Sequence, residues 1–264
     1  MLLAEALRAG AAIEEVHAEP DALEHPSVRA ARDAGVEVHE AAPGALAKVL
    51  DLTTPRGVVA VVRAAPAELS EVLDRAHSTG RPVPVLVSLQ DPGNAGTLVR
   101  VAEATGCAGV VLTTGSVDVR NPKTVRATAG SVFRVPVVES VELDEVLEGC
   151  GRRGVPVLAT VGHGGEPPEG AALLDGAVAV LVGAEAHGLP EPVVARCDGS
   201  VTLPMEGEVE SLNAAVAGAV VLFEAARRRR SAGRDHRGAA TGPLSTGGRS
   251  GAMGHNDPSM ESSR

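Results

Sequence analysis

Leu89-Gln90-Asp91-Pro92-Gly93-Asn94-Ala95-Gly96-Thr97-Leu98-Val99-Arg100 is the stretch that decides the fold. It leaves a compact apolar run, residues 85–89, of the kind that forms a strand buried on both faces. Past Pro-Gly, apolar residues recur at helical spacing to about residue 105. Asn94 is placed to cap that helix and Gly96 permits close approach at its first turn. Arg100 projects from the same helix about two turns in. A surface arginine behind an ordinary turn accounts for this segment. So does a substrate site, because free donors at a helix start and a guanidinium both favour phosphate oxygens. Neither G-x-G-x-x-G nor G-x-x-x-x-G-K-[ST] occurs in this stretch, so this turn is not a nucleotide fingerprint.

Outward from this unit the pattern repeats. Compact apolar runs at 109–112, 155–159 and 178–182 read as further buried strands, and 95–105, 143–148 and 212–228 as helices. The fold class is α/β, with a mostly parallel sheet covered on both faces. Residues 1–63 form a smaller α/β unit, with helices at 2–8 and 27–34 and strands at 13–17 and 57–62. Residues 64–83 read as the linker, in which Pro66 opens a helix ending near residue 77. The main domain is then 84–230. Residues 231–264 are rich in Gly, Ser, Arg and Pro and are expected to be a disordered tail. Arg227 to Arg230 are the one dense positive run, suited either to a helix C-terminus or to an RNA backbone.

Two more loops stand out, the first of them leaving a buried strand. In Leu181-Val182-Gly183-Ala184-Glu185-Ala186-His187-Gly188-Leu189-Pro190, Gly183 would make room for a ligand and Glu185 would position a donor or neutralise Arg100. His187 is chemically able to act as a base, with no support from its neighbours. In Leu203-Pro204-Met205-Glu206-Gly207-Glu208-Val209-Glu210-Ser211-Leu212-Asn213, Ser211 reads as the N-cap of the last helix. That helix carries an apolar stripe of Leu212, Ala215, Val216, Ala219, Val220 and Phe223. The Pro-Met side of the loop is apolar and suited to a flat adenine. If the three loops meet at the carboxyl edge of one sheet, they form a site with apolar walls, backbone donors and one arginine.

Composition restrains the choice of partner. Hydrophobic residues make up 44% of the chain, with two Phe and no Tyr or Trp, so a nucleic-acid surface here cannot rely on stacking bases on aromatic rings. A net charge of −10 argues against a protein that coats RNA along its length. Cys107, Cys150 and Cys197 are too widely spaced for a paired-cysteine metal motif, so no metal is expected; they fit a reduced, cytoplasmic chain. The start lacks a signal-peptide pattern, and no apolar window is long enough to span a membrane.

These loops resemble the three motifs of the SpoU/TrmH family of RNA ribose 2′-O-methyltransferases, in the SPOUT superfamily. The family's N-x-G-x-[LI]-x-R is met by Asn94, Gly96, Leu98 and Arg100, and its G-x-E-x-x-G-L by Gly183, Glu185, Gly188 and Leu189. Its P-M-x-G-x-x-x-S-L-N is met by Pro204, Met205, Gly207, Ser211, Leu212 and Asn213, and the segment KTVRATAGSVFRVPV between the first two is similar as well.

The resemblance implies a C-terminal knotted SPOUT domain that binds S-adenosylmethionine, preceded by a small RNA substrate-binding domain, in a homodimer whose interface contributes to the active sites. It implies ribosomal RNA as substrate, with transfer RNA next. Arg100 would bind a phosphate beside the target and help activate the 2′-hydroxyl. Asn94 would orient the arginine or nucleotide, and Glu185 and Asn213 would organise the site. Gly183, Leu203, Met205, Ser211 and Leu212 would line the cofactor pocket, with Thr160 near the adenosine. Relatives carry a basic stretch before the helix at residues 2–7, so the resemblance implies either a shortened small domain or a misassigned start here. Residues 1–80 hold 13 acidic and seven basic side chains, a poor grip on RNA by themselves. A catalytically inactive RNA-binding or ribosome-associated protein is the rival reading, to be separated by S-adenosylmethionine binding. For a nicotinamide oxidoreductase the sheet pattern fits, but the glycine fingerprint at the strand-to-helix turn does not.

Overall fold

The computed structural model describes residues 2–50, 57–64, 66–184, 187–207, 209 and 211–239. The small unit contains α1 (Leu2–Arg8), β1 (Ile13–Ala18), α2 (Pro26–Asp33), β2 (Glu37–Glu40), α3 (Ala45–Leu50) and β3 (Val58–Val62). Its sheet runs β2-β1-β3, with β1 parallel to β2 and antiparallel to β3. Period-two alternation explains which face is covered. Val16 and Ala18 of β1 pack with Leu3, Val28 and Ala31 beneath α1 and α2. The sequence reading missed β2, whose Glu-Val-His-Glu has a single apolar residue, and the six-residue α3.

The larger unit holds α4 (Leu69–Thr79), β4 (Val83–Leu86), α5 (Pro92–Thr105), β5 (Val110–Thr113), α6 (Pro122–Ala127) and β6 (Val137–Val141), then α7 (Leu143–Arg153) and β7 (Val157–Thr160). It ends with β8 (Ala179–Val182), α8 (Glu191–Val194), β9 (Gly199–Val201) and α9 (Ala214–Ala239). Six strands form one sheet in the order β6-β5-β4-β8-β7-β9, and every pairing is parallel. One face is buried under α5 and α9 through Leu86, Leu98, Leu112, Val182 and Leu222. The other is buried under α4 and α7 through Val72, Leu73, Val85, Val146 and Leu181. The expected doubly covered α/β sheet is therefore present.

Two boundaries differ from the sequence reading. The segment expected as a linker, 64–83, contains α4, whose Leu69, Val72, Leu73 and Ala76 belong to the core of the larger unit. Its amphipathic pattern was visible, but a pattern cannot say which sheet the helix covers. The last helix runs to Ala239, past residue 231 where the tail was placed; residues 240–264 lie outside the described residues. Arg227 to Arg230 are thus inside a helix, not at its end.

The topology doubles back. From β4 the sheet grows outward through β5 to β6; β7 and β8 then lie on the opposite side, with β8 inserted against β4. After β9 the chain returns to lay α9 along α5. Gly218 of α9 is needed for that contact, because a Cβ there would lie 2.8 Å from Leu98 Cδ2. This course agrees with the knotted architecture implied by the resemblance, which simple winding rules argue against.

Candidate active site

Because all six strands are parallel, the loops that follow them emerge at one edge. β4 lies beside β8, β8 beside β7 and β7 beside β9. The loops beginning after Leu86, Thr160, Val182 and Val201 are therefore neighbours, as the sequence reading required, at the position where open parallel sheets bind ligands.

The amide of Asn213 ties two of these loops together. Its Nδ2 donates to Asn94 Oδ1 at 2.8 Å, while its Oδ1 accepts from Ala215 N at 2.9 Å and Val216 N at 3.2 Å. Asn213, not Ser211, thus caps α9, and Ser211 is exposed. The expected cap of α5 also moves. Asp91 Oδ1 accepts from Asn94 N at 2.7 Å, with Pro92 opening the helix, so Asn94 lies inside the first turn. Asn94 is 8% exposed. Relieved of capping, its side chain meets Asn213 across the site.

Two glycines are explained by backbone crowding. A Cβ on Gly96 would come 2.4 Å from Ala127 Cβ and 2.7 Å from Thr124 O, so α5 and α6 touch backbone to backbone. A Cβ on Gly183 would come 2.3 Å from Gly188 C. The sequence reading had Gly183 making room for a ligand. The space a Cβ would occupy is filled by the chain's own return at Gly188–Leu189, bridged from Ala184. Glu185, expected to organise the site, lies outside the described residues.

Arg100 is exposed on α5 and has no ion-pair partner among the described residues. Gly96 and Arg100 are four apart and share one helix face, so the guanidinium sits one turn beyond the α5–α6 contact. Thr160, at the end of β7, donates its hydroxyl to Leu181 O at 2.8 Å, locking β7 to β8. Leu203 and Met205 are half-buried after β9, and Leu212 is 41% exposed. The donor set suits S-adenosylmethionine. Apolar side chains for a flat adenine stand beside strand-end backbone, and among the described residues no group of three or more His, Cys, Asp or Glu is placed to hold a metal.

A groove of about 830 Å³ adjoins the site, bounded by Thr97, Leu203, Leu212, Val216, Val220 and Phe223. The apolar stripe expected on α9 divides between two faces. In the structure Ala215, Val221, Leu222 and Ala225 face the core, while Leu212, Val216, Val220 and Phe223 are 41–48% exposed.

The basic run beyond them is mostly structural. Arg227 and Arg228 both bind Glu224, at 2.7 and 2.8 Å, and Arg228 also reaches Asp175 at 2.8 Å. Arg229 donates to Thr105 O at 2.6 Å, capping α5. The hydrogen bonds from Arg227, and then from Arg228, hold Glu224 down at about 2. At the edge of β5 and β6, burial raises Glu139, opposed by the charge of Arg120.

A model of the SpoU rRNA Methylase family matches residues 82–223. RlmP, the 23S rRNA (guanosine(2553)-2′-O)-methyltransferase of Bacillus subtilis, is 31% identical over 191 residues, which cover 72% of this chain and 73% of RlmP. RlmB, a 23S rRNA (guanosine-2′-O-)-methyltransferase of Xanthomonas axonopodis pv. citri, is 37% identical over 145 residues, 55% of this chain and 58% of RlmB. The SpoU methyltransferase AviRb from Streptomyces viridochromogenes, solved with its cofactor AdoMet, superposes with a TM-score of 0.76 at 27% identity, covering 87% of this chain and 88% of AviRb.

Proposed function

The chain belongs to the SpoU rRNA methylase family, and on that premise we propose that it transfers the methyl group of S-adenosylmethionine to a ribose 2′-hydroxyl of structured RNA, with 23S rRNA as substrate. The Asn213–Asn94 hydrogen bond carries this reading in the structure: it joins the start of the Arg100 helix to the loop of Leu203, Met205, Ser211 and Leu212. When bound, the cofactor supplies an electrophilic methyl group on a sulfonium. The protein's own task is alignment, which is where most of the rate gain of such a transfer arises.

Arg100 holds the phosphate next to the target ribose. A guanidinium stays protonated under ordinary conditions. Its contribution is therefore to fix the nucleotide and to favour negative charge developing on the 2′-oxygen. Asn94, held by Asn213, keeps the first turn of α5 in place beneath it. Glu185 organises the opposite loop, and Thr160, Gly183, Leu203, Met205, Ser211 and Leu212 enclose the cofactor. The small unit serves as substrate-binding domain. Its charge balance means that the larger unit supplies most of the grip on phosphate.

The working form is a homodimer, and the protein acts in the cytoplasm, where its RNA substrate resides. Among the described residues six large hydrophobics are exposed, and five of them, Val209, Leu212, Val216, Val220 and Phe223, fall in one stretch. Such a concentration marks an interface. The groove includes Thr97 of α5, one turn from Arg100, so a second copy seated on α9 completes the surroundings of the arginine. No helix among the described residues is long and apolar enough to cross a membrane.

Calorimetry and methyl transfer on the Arg100→Ala variant test the assignment. Binding of S-adenosylmethionine should persist while transfer falls by at least about a hundredfold. Near-normal transfer would remove Arg100 from its role.

A further inference from the structure

Around α5 and α6 most charges are neutralised in place. Arg120 bonds Asp118 at 3.0 Å and lies 3.7 Å from Glu139. Arg134 bridges Glu103 and Glu5. Asp91 is committed to the α5 cap. Three cations differ. Arg100, Lys123 and Arg126 are exposed and have no carboxylate partner among the described residues. In a chain of net charge −10, three uncompensated cations on adjoining helices are a local reversal of sign.

Their placement is fixed by backbone contact. Gly96, on the Arg100 face of α5, lies against Thr124 and Ala127 of α6. Lys123 and Arg126 each precede one of those two residues and are three apart, so they stand side by side along one edge of the contact. The platform is rigid: Asn121 Oδ1 accepts from Lys123 N at 2.9 Å, Pro122 opens the helix, and Thr124 is fully buried. The side chains therefore present their charges from a fixed base, with little ordering of backbone needed on binding.

We propose that Lys123 and Arg126 are positioning residues for the RNA substrate, continuing from Arg100 as a track of cations that binds the phosphates beside the one Arg100 holds. The inference rests on the proposed function, because it presumes that Arg100 faces RNA. Neither side chain touches the reacting atoms. Their removal weakens docking without altering the methyl-transfer site. Side chains about 5–6 Å apart at Cβ can reach successive phosphates of one strand.

The test uses the full chain and an unmodified 23S rRNA transcript, with binding followed by filter retention across a salt series and methylation followed in parallel. For Lys123→Gln/Arg126→Gln the slope of log affinity against log salt should become shallower by about 1.4–1.8, the loss of two phosphate contacts. KM for RNA should rise at least about tenfold while kcat stays within about twofold, because only docking is weakened. Lys123→Arg should keep the wild-type slope. Arg75→Gln, which removes an exposed cation from α4 on the opposite face of the sheet, should also keep it. Wild-type methylation together with an unchanged slope in the double variant overturns the track and leaves the function standing. Retention of the transcript with no methyl transfer under saturating S-adenosylmethionine defeats the functional reading, while the slopes still decide the track. A wild-type chain that does not retain the transcript overturns the track directly.

Discussion

Asn213 concentrates the logic of the site in one side chain, since its oxygen starts α9 and its nitrogen holds Asn94. Replacing it with Ala removes a helix cap and leaves a buried amide oxygen with one partner fewer. The expected cost is about 1–3 kcal/mol, read as a lowered thermal midpoint. Asn213→Asp keeps the cap but cannot donate to Asn94. It should therefore recover much of the stability and little of the activity, and full activity in that variant would show that the Asn–Asn bond is dispensable. Gly183→Ala should be as severe, because its Cβ has no room beneath Gly188. These residues were legible in the sequence as motif positions, and the structure brings Asn94 and Asn213 into contact, a pairing the motifs did not specify. Their local roles were less legible. Asp91, Asn94, Ser211 and Asn213 are all good N-cap residues, and which one caps depends on where the chain turns. Lys123 and Arg126 were visible within a segment similar to the family, but charge pairing is a property of space, so only the structure shows that they are unneutralised while Arg120 and Arg134 are spent.

α9 is an element whose type the pattern shows and whose orientation it leaves open. Its two faces are both apolar. Gly218 packs at close range against Leu98 and Val182, with Val221 and Leu222 buried beside it, while Val216, Val220 and Phe223 point outward. Periodicity identifies a stripe but cannot tell a core from an interface. β6 and β9 escaped the sequence reading for a related reason: they are edge strands, with Glu139 and Ser140 in one and Gly199 and Ser200 in the other. The Glu224 cluster makes a prediction at this scale. With the folded value held near 2, against an ordinary 4.5, the ionised carboxylate favours the folded state. That contribution is complete above about pH 4.5 and is lost as pH falls toward 2. After solvent screening it amounts to about 1–2 kcal/mol. Glu224→Gln should reduce stability at neutral pH and flatten the acid limb of a denaturation profile. Equal losses for wild type and variant across that limb would place the acid sensitivity elsewhere.

At the scale of the molecule, the sheet class could be read from apolar runs and turns, whereas the doubling back of β8 and α9 could not. Knowledge of that course came through the motif resemblance, because nothing in a period of 2 or 3.6 residues records strand order. The same holds for association. The exposed Val216, Val220 and Phe223 predict a dimer, and Val220→Glu/Phe223→Glu should give a folded monomer in light scattering, with methyl transfer reduced by at least tenfold or so as the shared site is lost. A monomeric variant with full activity would confine each site to one chain. The central claim, transfer to a ribose oxygen of RNA, is tested most directly by locating the product. Wild-type protein is incubated with unmodified 23S rRNA and methyl-labelled S-adenosylmethionine, and the RNA is digested to nucleosides. The account predicts label on the 2′-oxygen of a single nucleotide, absent when Arg100→Ala replaces the wild type. Label on a base, or none in any RNA from a protein that binds the methyl donor, would contradict it.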